Sequence, residues 1–135
     1  MSESVKHMEL VQRAATFARS LVPPHASALL EIDTPEKTHA THGISSFHPD
    51  LHYEWGGMLI VGEAKTRKDF ENDHARAQFS AYVNACAVYS GRAHLIVAVP
   101  LLLTRTVENY FRRLLPGERR FPITIVDDAG GVRTI

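Results

Sequence analysis

The sequence predicts an α/β domain with a mixed β-sheet flanked by helices, and three observations favour this class. Apolar runs at residues 58–64, 93–99 and 123–127 are typical of strands that are buried on both faces. The Gly56-Gly57 pair between two strand-like runs is typical of a two-residue hairpin. Segments with helical spacing of apolar residues lie between the strands, as expected where helices cover both faces of a sheet.

The first part of the chain is predicted to be a helix followed by a strand. Apolar positions at helical spacing cover residues 4–20, and Pro23-Pro24 ends the pattern. Residues 27–33 (SALLEID) have the character of a strand, and Thr34-Pro35 begins a long loop that leads to Asp50.

The second part of the chain continues the alternation of strands and helices. After the hairpin, a helix is expected over residues 69–90, with Asp69 as N-cap and Gly91 as terminator. A strand at 93–99, a helix at 104–115 and a strand at 123–127 follow, and Gly130-Gly131 turns the chain into its C-terminal end. The predicted order is therefore α-β-β-β-α-β plus a C-terminal helix and strand.

The hairpin fixes which residues of its two strands lie opposite each other. Both central positions of such a turn favour positive φ, which glycine adopts without strain. The predicted pairs are Trp55 with Met58, Tyr53 with Ile60, and Asp50 with Glu63.

This register brings three charged side chains to one face. Opposed residues of an antiparallel pair point the same way, with Cβ atoms roughly 4.5–5.5 Å apart. Alternation along the strand then places Lys65 beside Glu63. Asp50, Glu63 and Lys65 are therefore expected to converge. Two carboxylates can hold a divalent metal ion, and an ammonium can assist an attacking water, which is the chemistry of phosphodiester hydrolysis.

The Asp50 and Glu63-Ala64-Lys65 pattern resembles the PD-(D/E)xK nuclease superfamily, whose members share the restriction-endonuclease-like core. The resemblance implies that Asp50 and Glu63 bind Mg²⁺ or Mn²⁺, with help from the main-chain carbonyl of Ala64. It also implies that Lys65 polarises or orients the nucleophilic water.

Gln78 and Tyr82 lie four residues apart on the helix that follows. This Gln-x-x-x-Tyr pattern resembles the RecB-type exonuclease branch of the superfamily, where these side chains organise the site or contact nucleic acid. A tyrosine on an alanine-rich helix is also an ordinary core residue, so both interpretations stay open. His74, one turn earlier, is expected on the helix surface.

Two further residues are candidates for the site. Many members of the family place an acid of the first helix near the metal, which points to Glu9. His52 shares a face with Asp50 in the predicted register and could contact the scissile phosphate or a second ion. Four histidines fall in or next to the loop before the hairpin, but their spacing matches no zinc pattern. They are His39, His42, His48 and His52.

Composition limits the classes of protein that fit. The length predicts one domain, residues 1–135, and the single cysteine, Cys86, excludes an internal disulfide and fits a reducing cytoplasm. No apolar run has membrane-spanning length. Fifteen basic and fifteen acidic residues cancel, which argues mildly against a sequence-independent nucleic-acid binder. This argument from net charge is weakened by local basic clusters, which lie at residues 65–68, Arg112-Arg113 and Arg119-Arg120.

The sequence thus predicts a metal-dependent nuclease acting on nucleic acid, with DNA the expected substrate. The protein is expected to be cytoplasmic and to work as a homodimer or as a subunit of a larger complex. One alternative is a catalytically silent, nuclease-like binding or scaffolding subunit of a nucleic-acid-processing or defence complex, which the zero net charge favours. A second is an accidental motif in an α/β binding domain, in which case Asp50 and Glu63 would not be opposed.

Overall fold

One six-stranded mixed sheet organises the chain, in a computed structural model that describes residues 3–34, 41–70, 72–115, 117 and 119–135. The strands lie side by side in chain order, and the three central ones, β3 to β5, run parallel to one another. The outer pairs are antiparallel. The strands are β1 (Glu31–Ile32), β2 (Leu51–Trp55), β3 (Met58–Ala64), β4 (Arg92–Val99), β5 (Ile123–Asp127) and β6 (Val132–Thr134).

Three helices cover the two faces of this sheet, as predicted. The helices are α1 (Glu3–Leu21), α2 (Asp73–Val88) and α3 (Thr104–Leu114). Helix α1 lies across β2 to β5 on one face, whereas α2 and α3 pack on the opposite face. Each face therefore has its own apolar core, one around Leu10, Val11 and Ile60 and the other around Phe79 and Phe111.

Two further features of the helices concern Cys86 and the length of the apolar segments. Cys86 belongs to α2 and packs in the apolar core beneath it, where burial raises the pKa of its thiol to about 12. Within the described ranges, no helix combines the length and apolar character needed to cross a membrane.

The strand predicted at residues 27–33 is largely wrong. Pro24–Leu29 form a 3₁₀-helix, and only Glu31 and Ile32 pair with β2 as the short strand β1. The fixed φ of Pro24 suits the start of a helical turn. The turn is closed by hydrogen bonds from the Ala26 amide to Pro23 O at 2.9 Å and from Ser27 Oγ to Pro24 O at 3.1 Å.

The predicted N-cap of the second helix, Asp69, is three residues too early. Asn72 is the N-cap of α2, and its side chain accepts a hydrogen bond from the Ala75 amide at 2.7 Å. Asp69 instead accepts a hydrogen bond from Thr66 Oγ1 at 2.8 Å, within a separate turn after β3. At the other end the helix stops at Val88, because Tyr89 already has extended backbone.

The hairpin has the predicted turn and register. Gly56 and Gly57 have φ of 62° and 76°, and Trp55 pairs with Met58. The last pair of the ladder joins Leu51 to Gly62, where a Cβ on the glycine would lie 2.8 Å from Leu51 Cβ. Asp50 immediately precedes β2 and Glu63 follows Gly62, so the two acids occupy the next opposed positions.

Candidate active site

Asp50 and Glu63 meet where the hairpin strands end, and each carboxylate is held by the backbone of the opposite strand. The Asp50 amide donates to Glu63 Oε1 at 3.3 Å, and the Ala64 amide donates to Asp50 Oδ2 at 2.9 Å. The two residues are only 8% and 4% exposed. Asp50 and Glu63 are therefore opposed across the two strands, whereas an accidental motif would lack this arrangement.

The environment of Glu63 is unfavourable for its charge. Burial, followed by the nearby Asp50 carboxylate, raises the pKa of Glu63 well above its usual value, and the Lys65 charge offsets this only in part. Two buried carboxylates in contact form a region of concentrated negative potential. A cation bound between them would relieve the repulsion.

Lys65 completes the predicted trio and connects the sheet to α2. Its Nζ donates to Gln78 Oε1 at 2.5 Å and lies 3.5 Å from Glu63 Oε2. The side chain is buried, and its amide donates to Ala98 O at 2.9 Å, so the residue is held at both ends. The ammonium therefore has a defined position beside the two carboxylates.

Gln78 and Tyr82 lie directly over this trio from α2, one helical turn apart. The Tyr82 hydroxyl donates to Glu63 Oε1 at 3.3 Å while Gln78 accepts from Lys65. Burial, and then the charge of Glu63, raises the pKa of the Tyr82 hydroxyl. The Tyr82 ring is fully buried against Phe79, so this side chain is both part of the core and a contact of the site.

His7 is a site residue that the sequence analysis missed. Its Nε2 lies 3.2 Å from Asp50 Oδ2, and its side chain is 33% exposed. The hydrogen bond with Asp50 raises the pKa of His7. The residue belongs to α1, far from Asp50 in sequence, and no local pattern indicates that the two meet.

Glu9, the acid chosen from the same helix, is not brought to the carboxylates. A position two residues along a helix is rotated by about 200°. Glu9 is accordingly exposed and lines a separate groove that also includes Arg13 and Asp128. Among the described contacts, the approach of α1 to Asp50 is made by His7.

His52 is buried but turned toward the edge of the sheet. Its Nδ1 lies 3.1 Å from Glu31 Oε1, and its ring stacks on His42 at a centroid distance of 5.4 Å. Burial lowers the pKa of His52. Among the described hydrogen bonds and ion pairs, His52 has none with Asp50, and its bond with Glu31 joins β1 to β2.

The other histidines singled out from the sequence lie around the site rather than in it. His48 Nδ1 is 3.0 Å from Thr41 O, and His74 is exposed at the surface of α2, as expected. The His74 ring packs edge-on against Phe47 at 5.5 Å. His39 lies outside the described residues.

The donor atoms of the site suit a hard divalent cation. Across the ranges that the structure describes, no cage of three or more His, Cys, Asp or Glu side chains that could hold a metal ion is formed. Mg²⁺ rarely uses such a cage: it is usually held by one or two carboxylates, with waters and substrate phosphates filling the remaining positions. The buried pair of Asp50 and Glu63 fits that requirement, and His7 adds a nitrogen beside Asp50.

The chain was compared with protein-family models, curated proteins and solved structures, and none matches significantly. The fold is that of an α/β domain with a six-stranded mixed sheet. The candidate site is a buried cluster of an aspartate, a glutamate and a lysine. That cluster lies where the central hairpin meets α2.

Proposed function

We propose that the protein is a metal-dependent nuclease that hydrolyses phosphodiester bonds in nucleic acid, with DNA as the expected substrate. The observation that carries the proposal is the contact of buried Asp50, Glu63 and Lys65 at one point. Burial of three charged groups together is costly, and such clusters are concentrated at functional sites.

The Asp50 and Glu63 carboxylates would hold Mg²⁺ or Mn²⁺, with the main-chain carbonyl of Ala64 as a further ligand and His7 beside Asp50. The bound ion would supply positive charge for the scissile phosphate and would lower the pKa of a water molecule. The two backbone hydrogen bonds from Asp50 and Ala64 keep the carboxylates in place before any ion arrives.

Lys65 is the residue assigned to the attacking water. Its ammonium would donate to that water and orient it for in-line attack, and it would also oppose negative charge on the phosphate. Gln78 and Tyr82 are positioning residues in this proposal. Gln78 holds the lysine through its amide oxygen, and Tyr82 fixes the orientation of Glu63 through its hydroxyl.

The test is cleavage of linear, single-stranded, branched and supercoiled DNA in the presence of Mn²⁺. The Lys65→Met variant, which preserves side-chain length in a buried position, should lose at least about 100-fold in rate. Lys6→Met is the matched control, because Lys6 is exposed on α1 and has no role in the proposed site. A Lys65→Met variant that cuts at the wild-type rate would remove the lysine from the mechanism.

The second candidate is a nuclease-like binding or scaffolding subunit that cuts nothing itself. The balance of fifteen basic and fifteen acidic residues supports it, because strand-cutting enzymes benefit from a basic surface. Wild-type protein that binds DNA and Mn²⁺ yet leaves every substrate intact would favour this function. Light scattering under the same conditions tests whether a homodimer or a larger complex forms.

A further inference from the structure

A small cavity is lined by residues of α2, of α3 and of the turn that follows β3. Its volume is about 340 Å³. The lining combines two cations, two aromatic rings and one aliphatic side chain. These are Arg76, Arg113, Phe70, Tyr110 and Leu114.

The cavity is positively charged, and its arginines are accessible to a ligand. Arg76 and Arg113 are exposed, and no carboxylate is among the described lining residues. Arg76 pairs with Asp73 at 3.1 Å, but that pair is on the surface, where such contacts contribute little. A phosphate can therefore replace Asp73 as the partner, and planar guanidinium groups bind phosphate oxygens in a bidentate manner.

The aromatic wall of the cavity is rigid. Tyr110 is half-buried and packs edge-on against Phe70 at 5.4 Å and Phe111 at 5.1 Å. Its position on α3 places it next to Arg113 along the helix, one turn before Leu114. A half-exposed ring held by its neighbours is a suitable surface for stacking a nucleobase, since every base presents a π face.

A short basic segment joins the carboxylate site to this cavity. Lys65 lies at one end and Phe70 at the other, and the turn between them is held by the Thr66–Asp69 hydrogen bonds. Arg67 and Lys68 project from the turn and are exposed. Phosphates of one strand would meet the exposed cations Arg67 and Lys68 on this path.

We propose that the cavity lined by Arg76, Arg113 and Tyr110 binds a nucleotide unit of the strand that the carboxylate site cuts. The two guanidinium groups hold its phosphate, and the Tyr110 ring stacks on its base. This inference rests on the proposed nuclease function for the identity of the ligand, and its own evidence is the composition of the cavity.

The experiment is calorimetric titration of the 135-residue chain with a 5′-phosphorylated trithymidylate in EDTA, so that no cleavage intervenes. The double variant Arg76→Ala/Arg113→Ala should weaken binding by about tenfold or more. Arg105→Ala, an exposed arginine on the first turn of α3, is the matched control and should bind as wild type. Tyr110→Phe should also retain binding, because it keeps the ring.

Three results would overturn the assignment of the cavity. One is unchanged affinity in the double variant, which has only exposed residues replaced and should fold normally. Another is a wild-type affinity for inorganic phosphate equal to that for trithymidylate. The last is an equal affinity for a glutamate-rich peptide. Either of these two results would show that the cavity binds anions in general.

Cleavage is assayed separately, so the two proposals can fail independently. If the double variant loses affinity for trithymidylate but the wild type cuts no substrate, the assignment of the cavity as a nucleotide-binding site stands and the nuclease proposal falls. If the wild type cuts DNA and the double variant binds and cuts equally well, the nuclease proposal stands and the cavity assignment falls.

Discussion

Lys65 Nζ and Gln78 Oε1 are joined by a hydrogen bond of 2.5 Å that crosses from the end of β3 to the first half of α2. Both side chains are buried, and the lysine has Glu63 as a second partner at 3.5 Å. The ammonium is thus fixed by a neutral acceptor on one side and a carboxylate on the other. Its direction depends on the helix as much as on the strand that carries it.

Replacing Gln78 by methionine should reduce cleavage about 10- to 100-fold, the range seen when a partner of a site residue is removed. The side chain keeps its size but no longer accepts a hydrogen bond from Lys65. Steady-state rates measured with Mn²⁺ check this, with Ser80→Ala on the exposed side of α2 as control. Equal rates for the two variants would mean that Gln78 does not position the lysine.

Replacing Tyr82 by phenylalanine distinguishes the contribution of its ring packing from that of its hydroxyl. The ring remains in the core, while Glu63 loses one hydrogen bond but keeps that from the Asp50 amide. We expect a loss of about 0.5–1.5 kcal/mol in the free energy of unfolding, with a lower cleavage rate. Urea denaturation and rate measurements test this against Tyr89→Phe. A stability loss with full activity would assign Tyr82 to the core alone.

Glu63 should make the metal-free protein less stable as pH rises. Because its folded pKa is raised above the ordinary value of 4.5, the stability it contributes is present below pH 4.5 and is lost as pH rises through the folded value. Glu63→Gln cannot ionise at this position, so its stability in EDTA should fall less than that of wild type as pH rises from 4 to 8.

Urea denaturation from pH 4 to pH 8 measures this difference. The pKa of His7 is raised as well, so stability from that residue is also lost with rising pH, above its ordinary value of 6.5. The comparison with Glu63→Gln therefore isolates the acid. Parallel stability curves for the two proteins would contradict the raised pKa of Glu63.

Mg²⁺ or Mn²⁺ should stabilise the protein through the two carboxylates. At a free ion concentration of 100 times Kd, the gain is about 2.7 kcal/mol. Asp50→Asn should abolish it, whereas Glu9→Gln should keep it, because Glu9 lies in a different groove. Thermal unfolding with and without EDTA gives the result. Stabilisation that survives in Asp50→Asn would place the ion elsewhere.

Gly62 should tolerate no side chain. An alanine Cβ at this position would lie 2.8 Å from Leu51 Cβ and 2.9 Å from Leu51 Cδ2. Moving Leu51 displaces its neighbour Asp50, so Gly62→Ala should lose about 1–3 kcal/mol of stability together with metal binding. Gly117→Ala is an informative comparison, because nothing lies near its Cβ although its φ of 90° strains the backbone. A Gly62→Ala protein that binds Mn²⁺ normally would contradict the coupling.

Local rules were sufficient wherever one short pattern determines the structure. The Gly56-Gly57 turn sets the hairpin register, and the register brings Asp50 to Glu63. The apolar runs predicted three strands because burial on both faces leaves few polar positions. The rules failed where two local patterns compete, as after Pro23-Pro24, where a 3₁₀ turn replaced most of an expected strand.

Local sequence patterns do not predict contacts between segments that are distant in the chain. His7 reaches Asp50 because α1 crosses the sheet near the ends of β2 and β3, and the packing of a helix on a sheet is not specified by local spacing. Helical periodicity shows which side of α1 is apolar but not which polar residue at its margin meets a carboxylate. The family resemblance points to Glu9, and the helical rotation separates Glu9 from His7.

The two-residue hairpin has a consequence for how the site is assembled during folding. Asp50, Glu63, Lys65, Gln78 and Tyr82 all belong to one uninterrupted stretch, residues 50–82, in which each contact closes only a short loop of chain. Contacts of low sequence separation form quickly and with little loss of chain entropy. The hairpin and α2 can therefore arrange these groups before β5 and β6 join the sheet.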